Sequence, residues 1–319
     1  MTDDPHYLFR FAPSSSASLF DLVVSHEGPA DDFNLTLRAF GNSKLSFEDG
    51  PPRLPYSSSL EGSWTGLTAG GNHTCSTFVY NPQYRVTLSP VPNRPLETGQ
   101  VEVVAQTSRD SPINVKLVLA AGKRVGDFEN RDVLAGTATY NYGRDACRAT
   151  GVRPGSYTLV VSSFQPLHEA PFDVSIHSSL PLQVSPVPSE GAGSYIRSAR
   201  GRWRDGLDGG SRDPLRNPAF NLIVSRSTIV QVRLQTPNGP VPIALDIYAA
   251  TSNGDPGQRV LTTAPYLDLV CGVLTQRIRL EPNEQGYLIL PSTYSSGVHA
   301  SFALFVYADG PIELVPANP

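Results

Sequence analysis

Apolar and polar residues alternate along this chain in short runs. Tyr84, Val86 and Leu88 are interleaved with Arg85 and Thr87, the two-residue period of a half-buried strand. Further short apolar runs cover Val101 to Ala105, Asn114 to Ala120, Ile229 to Leu234, Ile243 to Ala249 and Gln276 to Leu280. No apolar stripe with the 3.6-residue period of a helix persists for three turns. The pattern predicts an all-β protein made of packed antiparallel sheets.

The pattern also repeats. Leu19 to Ser25 followed by Phe33 to Leu37 reads as two strands joined by a turn-rich segment. The pairing returns as Tyr157 to Ser162 with Phe172 to Ile176, and as Tyr287 to Ser292 with Phe302 to Val306. Upstream, Gly62-Ser63-Trp64 parallels Gly201-Arg202-Trp203, and the pairs Gly70-Gly71 and Gly209-Gly210 follow at equal spacing. Asn81-Pro82-Gln83-Tyr84 then matches Asn217-Pro218-Ala219-Phe220. Such self-similarity marks repeated units. The expected division is 1–50, the tail of a truncated first unit, then whole units at 51–186 and 187–319, with proline-rich joints around Pro51-Pro52 and from Pro181 to Pro188. Each repeated position has a physical use within one copy. Trp64 and Trp203 are large apolar anchors, the glycine pairs allow positive φ, and Pro82 and Pro218 hold the preceding asparagine extended.

Composition sharpens this picture. The 319 residues include 29 prolines and 27 glycines with only 17% charged residues, which suits short strands and tight turns. A formal charge of −4 gives no reason to expect nucleic-acid binding. No apolar run approaches the ~20 residues of a membrane-spanning helix, so membrane contact is expected to be peripheral at most. The start, Met-Thr-Asp-Asp-Pro, lacks the basic and apolar regions of a signal peptide. Cys75, Cys147 and Cys271 are widely spaced and odd in number, which reads as reduced thiols of a cytoplasmic protein.

Candidate chemistry is sparse. None of the cysteines has an evident base, although Arg148 stands next to Cys147 and is expected to lower its pKa slightly. The histidines are scattered, with none at metal-ligand spacing from a cysteine or carboxylate. The acidic groups Asp31-Asp32, Asp127-Glu129-Asp132 and Asp205-Asp208-Asp213 are small or interleaved with arginine, so no cofactor and no tight calcium site is expected. The one concentrated charge feature is Arg197, Arg200, Arg202, Arg204, Arg212 and Arg216 around the second tryptophan. It reads either as a dock for an acidic peptide or anionic headgroups, or as a solvated face neutralised by Asp205, Asp208 and Asp213.

The succession Trp64, Ala69-Gly70-Gly71, Thr77-Phe78, Asn81-Pro82-Gln83-Tyr84 resembles the entry to calpain domain III, the β-sandwich that follows the protease domain in calpains. The tails Arg153-Pro154-Gly155-Ser156-Tyr157 and Leu290-Pro291-Ser292-Thr293-Tyr294 are similar to the same family's pattern. Tandem copies point to PalB-type calpain-like cysteine proteases, and in the last copy Asp208 replaces the alanine of Ala-Gly-Gly. The resemblance implies tandem domain III sandwiches from the non-catalytic C-terminal region of a protease of fungal ambient-pH signalling. It further implies protein partners: a protease domain in cis, a pathway substrate, or an ESCRT-associated scaffold at endosomes. None of the motifs of a papain-like triad is present, so no peptidase activity is expected of these residues themselves. The alternative is a β-sandwich ligand-binding module for anionic lipid or carbohydrate.

Overall fold

The structure, a computed structural model, describes residues 36–42, 54–95 and 97–317. The chain divides into two compact units, Met1–Arg53 and Leu54–Pro319, and the description that follows is of the second. The strand pair expected at Leu19 to Leu37, and with it the sandwich tail over 1–50, lies outside the described residues except for 36–42, which are in no strand.

Twenty strands make up the rest, joined by turns and single turns of 3-10 helix. The first ten are β1 (Tyr56–Trp64), β2 (Gln83–Leu88), β3 (Gly99–Thr107), β4 (Pro112–Val118), β5 (Val133–Gly136), β6 (Asn141–Tyr142), β7 (Arg144–Val152), β8 (Gly155–Ser163), β9 (Ala170–Ser178) and β10 (Leu182–Pro186). They form two antiparallel sheets, ordered β1-β9-β3-β7 and β10-β2-β8-β4-β5, with β6 paired to β4. The second ten are β11 (Tyr195–Trp203), β12 (Phe220–Val224), β13 (Thr228–Gln235), β14 (Ile243–Ala250), β15 (Pro256–Thr262), β16 (Val273–Leu274), β17 (Ile278–Leu280), β18 (Tyr287–Thr293), β19 (Ala300–Ala308) and β20 (Ile312–Pro316). Their sheets run β11-β19-β13-β16, with β17 also on β13, and β15-β14-β18-β12-β20. The second order repeats the first, except that two short strands, β16 and β17, stand where β7 does and β6 has no counterpart, and no sheet mixes residues from the two sets.

Alternation along each strand builds the cores. Val101, Val103 and Ala105 of β3 point inward with Phe172, Val174 and Ile176 of β9, all fully or nearly fully buried. Val230, Val232 and Leu234 of β13 meet Phe302, Leu304 and Val306 of β19 in the same way. Burying such a side chain contributes roughly 1.5–3 kcal/mol.

Three expected elements end differently. The run from Asn114 to Ala120 stops being a strand at Val118, because Ala120 enters a turn in which Lys123 N–H bonds its carbonyl. Gln276 to Leu280 is strand only from Ile278, as β17. Just upstream, Thr275 inserts its side chain, accepting the Val232 N–H on Oγ1 at 2.9 Å, between β17 and the short strand β16. The proline-rich joint from Pro181 to Pro188 is mostly β10, paired with β2 through Leu182 to Pro186, which leaves 187–194 as the connection.

Candidate functional site

The two tryptophan motifs occupy matching places. Trp64 ends β1 and Trp203 ends β11, both completely buried. Each indole N–H donates to a carbonyl of the facing sheet, Val161 O and Pro291 O, at 3.1 Å in both cases. Each ring packs on a phenylalanine, Phe172 at 4.9 Å and Phe302 at 4.6 Å between centroids. Gly62 and Gly201 stand where any Cβ would collide with those phenylalanine rings. The glycine pairs divide their work: Gly71 and Gly210 have positive φ (76° and 64°), whereas Gly70 and Gly209 are needed because a Cβ would strike the backbone oxygen of Thr77 or Asp213.

Asn81 and Asn217 are both fully buried and tie the glycine turn to the next strand. Asn81 accepts from Gly70 N–H at 3.1 Å and donates to Gly71 O at 2.8 Å. Asn217 donates to Gly210 O at 2.9 Å, but its Oδ1 has no partner, since Gly209 N–H bonds Arg216 O instead. Pro82 and Pro218 then lead into β2 and β12, where Tyr84 and Phe220 are buried.

The candidate chemical groups scatter. Cys147 faces the first core while Arg148, one residue on, faces outward near Glu102. Burial therefore pushes the Cys147 thiol up to about 12, with Asp145 adding to the effect, the reverse of the lowering expected from Arg148. Asp127, Glu129 and Asp132 do not form one acidic group. Asp127 is held against the second sandwich, whereas Asp132 accepts the Glu129 N–H within a 3-10 turn and Glu129 pairs with Arg131. Asp205 and Asp208 do converge, but with His299 rather than with Asp213. His299 Nε2 lies 3.1 Å from Asp205 and 3.5 Å from Asp208, and among the described residues these three are grouped closely enough to hold a metal ion. His299 escaped sequence reasoning because it lies far along the chain on the loop before β19.

The six arginines are spread over β11 and the turns that follow it. Arg200 and Arg202 lie on β11, two residues apart and exposed. Arg197, on the same strand, bonds the carbonyl of Ile196. Arg204 and Arg212 are exposed in turns, and Arg216 pairs with Asp208 at 3.4 Å.

The most heavily built site is one that sequence reasoning missed, the junction between the sheet pairs. The outward positions of β13 and β19, namely Arg233, Gln235, Phe305 and Tyr307, face the 75–81 and 124–128 segments of the first sandwich. Tyr80 packs edge-on to Phe305 at 6.5 Å. Gln235 donates to Ser76 O at 2.9 Å. Asp127 accepts the N–H of Val270 at 2.7 Å and of Cys271 at 3.2 Å. Cys271 is fully buried among Phe78, Val79, Val118, Val125 and Val160 of the first sandwich.

The connection 187–194 is fastened from both sides. Arg124 donates to Val79 O and Asn81 O in its own sandwich, and to Val187 O and Pro188 O in the connection, at 2.7–3.0 Å. Glu190 takes a two-pronged ion pair from Arg233 and accepts from Tyr307 Oη at 2.8 Å, with both Arg233 and Glu190 side chains only 6% exposed. Burial works against the Arg233 charge, but its bonds to Glu190 outweigh that and hold the guanidinium above its usual range. Burial lowers Arg124 and raises Asp127. Two arginines, one glutamate and one aspartate thus meet with balanced charge, as buried ions require.

A sequence signal for this face exists in β19. Phe302-Ala303-Leu304-Phe305-Val306-Tyr307 is apolar at every position, whereas Phe172-Asp173-Val174-Ser175-Ile176-His177 alternates. A strand apolar on both sides is covered on both sides.

Comparison with known proteins follows the same lines. The domain family "Calpain large subunit, domain III" matches residues 60–177. The chain is 31% identical, over 97% of its length, to the calpain-like protease palB/RIM13 of Cryptococcus neoformans var. neoformans serotype D. It is 28% identical over 88% of its length to the calpain-like protease palB of Emericella nidulans, and 23% identical over 57% to human calpain-7. It spans 38%, 32% and 22% of the lengths of these three proteins.

Proposed function

Because the chain belongs with the palB/RIM13 calpain-like proteases over the length it shares with them, we propose that it serves such a cysteine endopeptidase as a non-catalytic arm. In this reading residues 54–317 hold two domain III-type sandwiches at a fixed angle. They orient a protease domain supplied in cis, or recruit the substrate and scaffold of fungal ambient-pH signalling, among them ESCRT-associated proteins on endosomes. The arm is cytoplasmic and carries no peptidase chemistry of its own.

The observation that supports the reading is the junction. A flexible tether would need no buried ion pair, whereas an arm that sets a distance and an angle needs the connection immobilised. Glu190 and Arg124 immobilise it from opposite sides.

The test is overexpression of this chain in a cell with a working PalB-type calpain. Processing of the pathway's transcription factor and growth at alkaline pH are expected to fall as the arm competes for substrate or scaffold. Normal processing at large excess, with no pathway protein co-purifying, overturns the recruiting role.

A further inference from the structure

We propose that the free edge of β11 is a docking strand for an extended acidic peptide, which adds to the sheet beside Arg200 and Arg202. The inference rests on the recruiting role above and names the chemistry of what is recruited. β11 is nine residues long and pairs on one side only, with β19 from Tyr195↔Ala308 to Trp203↔Ala300. Among the described residues no other strand pairs with it, so its second row of backbone groups is available to an added strand.

Its side chains select the partner's charge. Arg200 and Arg202 are two residues apart, which puts them on the same side of the sheet, opposite the one that Trp203 buries. Among the described residues neither has an ion-pair or hydrogen-bond partner, and the strand Tyr-Ile-Arg-Ser-Ala-Arg-Gly-Arg-Trp contains no carboxylate. Across the sheet Arg200 faces Ala303 and Arg202 faces Ser301, so no neighbour on β19 neutralises them. An added strand with carboxylates at alternate positions would meet both arginines, because its side chains share the same two-residue period.

The other copy supplies a built-in contrast. β1 is the same edge in the same register, from Tyr56↔Ser178 to Trp64↔Ala170. It reads Tyr-Ser-Ser-Ser-Leu-Glu-Gly-Ser-Trp, with Glu61 facing Asp173 on the outward side. The two edges share geometry and oppose each other in charge, so the basic character of β11 is not demanded by the fold.

The test uses the whole 319-residue chain and a synthetic peptide with glutamates alternating between valines, followed by fluorescence anisotropy at low and high salt. Expected is saturable binding that weakens with salt and falls about tenfold in R200E/R202E. A peptide N-methylated at alternate residues is expected to lose binding, because strand addition needs its backbone N–H groups. Both substituted side chains are exposed, so an unchanged melting temperature certifies the variant's fold. Three results overturn the inference. One is no binding of the peptide to the native chain. Another is equal binding by the N-methylated peptide, which would reduce the effect to charge. The third is sedimentation of the chain with phosphatidylserine vesicles, dependent on Arg200 and Arg202, in place of peptide binding. Each of these leaves the overexpression result untouched, so the recruiting role and the docking strand fail separately.

Discussion

At the residue scale, burial decides which groups can react. Cys147 and Cys271 are enclosed, and burial pushes both thiols up to about 12. Cys75 is only partly buried. With a disulfide reagent at pH 8, the native chain should expose one fast-reacting thiol, Cys75, and release the other two only on denaturation. Rapid labelling of Cys271 would mean that the junction opens readily. Asp127 gives a pH signature of a particular sign. Burial raises its carboxyl above 3.8, so the folded state binds this proton more readily than the unfolded chain. Its contribution to stability therefore grows as pH falls through the raised value towards 3.8, and is lost as pH rises. Urea unfolding of the native chain and of Asp127→Asn should show the native chain gaining on the variant between neutral pH and pH 4. A difference that stays constant or runs the other way would remove the aspartate from the junction's charge balance.

At the element scale, the tightest constraint is the contact between an edge strand and its neighbour. Gly201 of β11 sits against the Phe302 ring, as Gly62 of β1 sits against Phe172. Gly201→Ala should cost about 1–3 kcal/mol by overpacking, measured by urea denaturation, and Gly62→Ala should cost about the same. A neutral result at either site would show that the ring can move aside. These contacts also mark how far the sequence could be read. Strands β2, β3, β8, β9, β13, β14, β18 and β19 were legible because each buries one face and exposes the other, or is apolar throughout. β1 and β11 were seen only as tryptophan motifs. Most of their remaining residues are serines, arginines and glycines, with only isolated apolar positions such as Leu60 and Ile196, and an edge strand exposed on most of its length carries little apolar signal. The run Gln276 to Leu280 was read two residues too long at its start and β16 was missed, because two- and three-residue strands around Thr275 carry too few positions for a period to show.

At the scale of the whole molecule, the pairing of the sheet sets matters more than either set alone. Glu190→Ala would leave Arg233 buried without its partner, a loss of about 3–5 kcal/mol in comparable sites. Calorimetry is expected to show the two sandwiches unfolding together in the native chain and separately in the variant, with the second sandwich melting first. One unchanged transition would mean that apolar contacts around Phe78 and Cys271 suffice to join them. Of the junction only the two-sided apolar run of β19 leaves a trace in the sequence; its polar partners lie on both sandwiches and in a connection that reads as an ordinary proline-rich joint. The arginines around Trp203 drew attention instead, although Arg233, which carries the buried ion pair, sits quietly inside an apolar strand.

The two-sided apolar strand β19 has a consequence for any shortened form of this protein. Freed of the first sandwich, residues 195–317 would present Phe305, Tyr307 and Cys271 to water, together with Arg233 stripped of Glu190. An exposed face of that kind promotes self-association. The second sandwich is thus a poor candidate for shuffling among proteins on its own, and a gene that inherits it profitably inherits the first one and the connection with it.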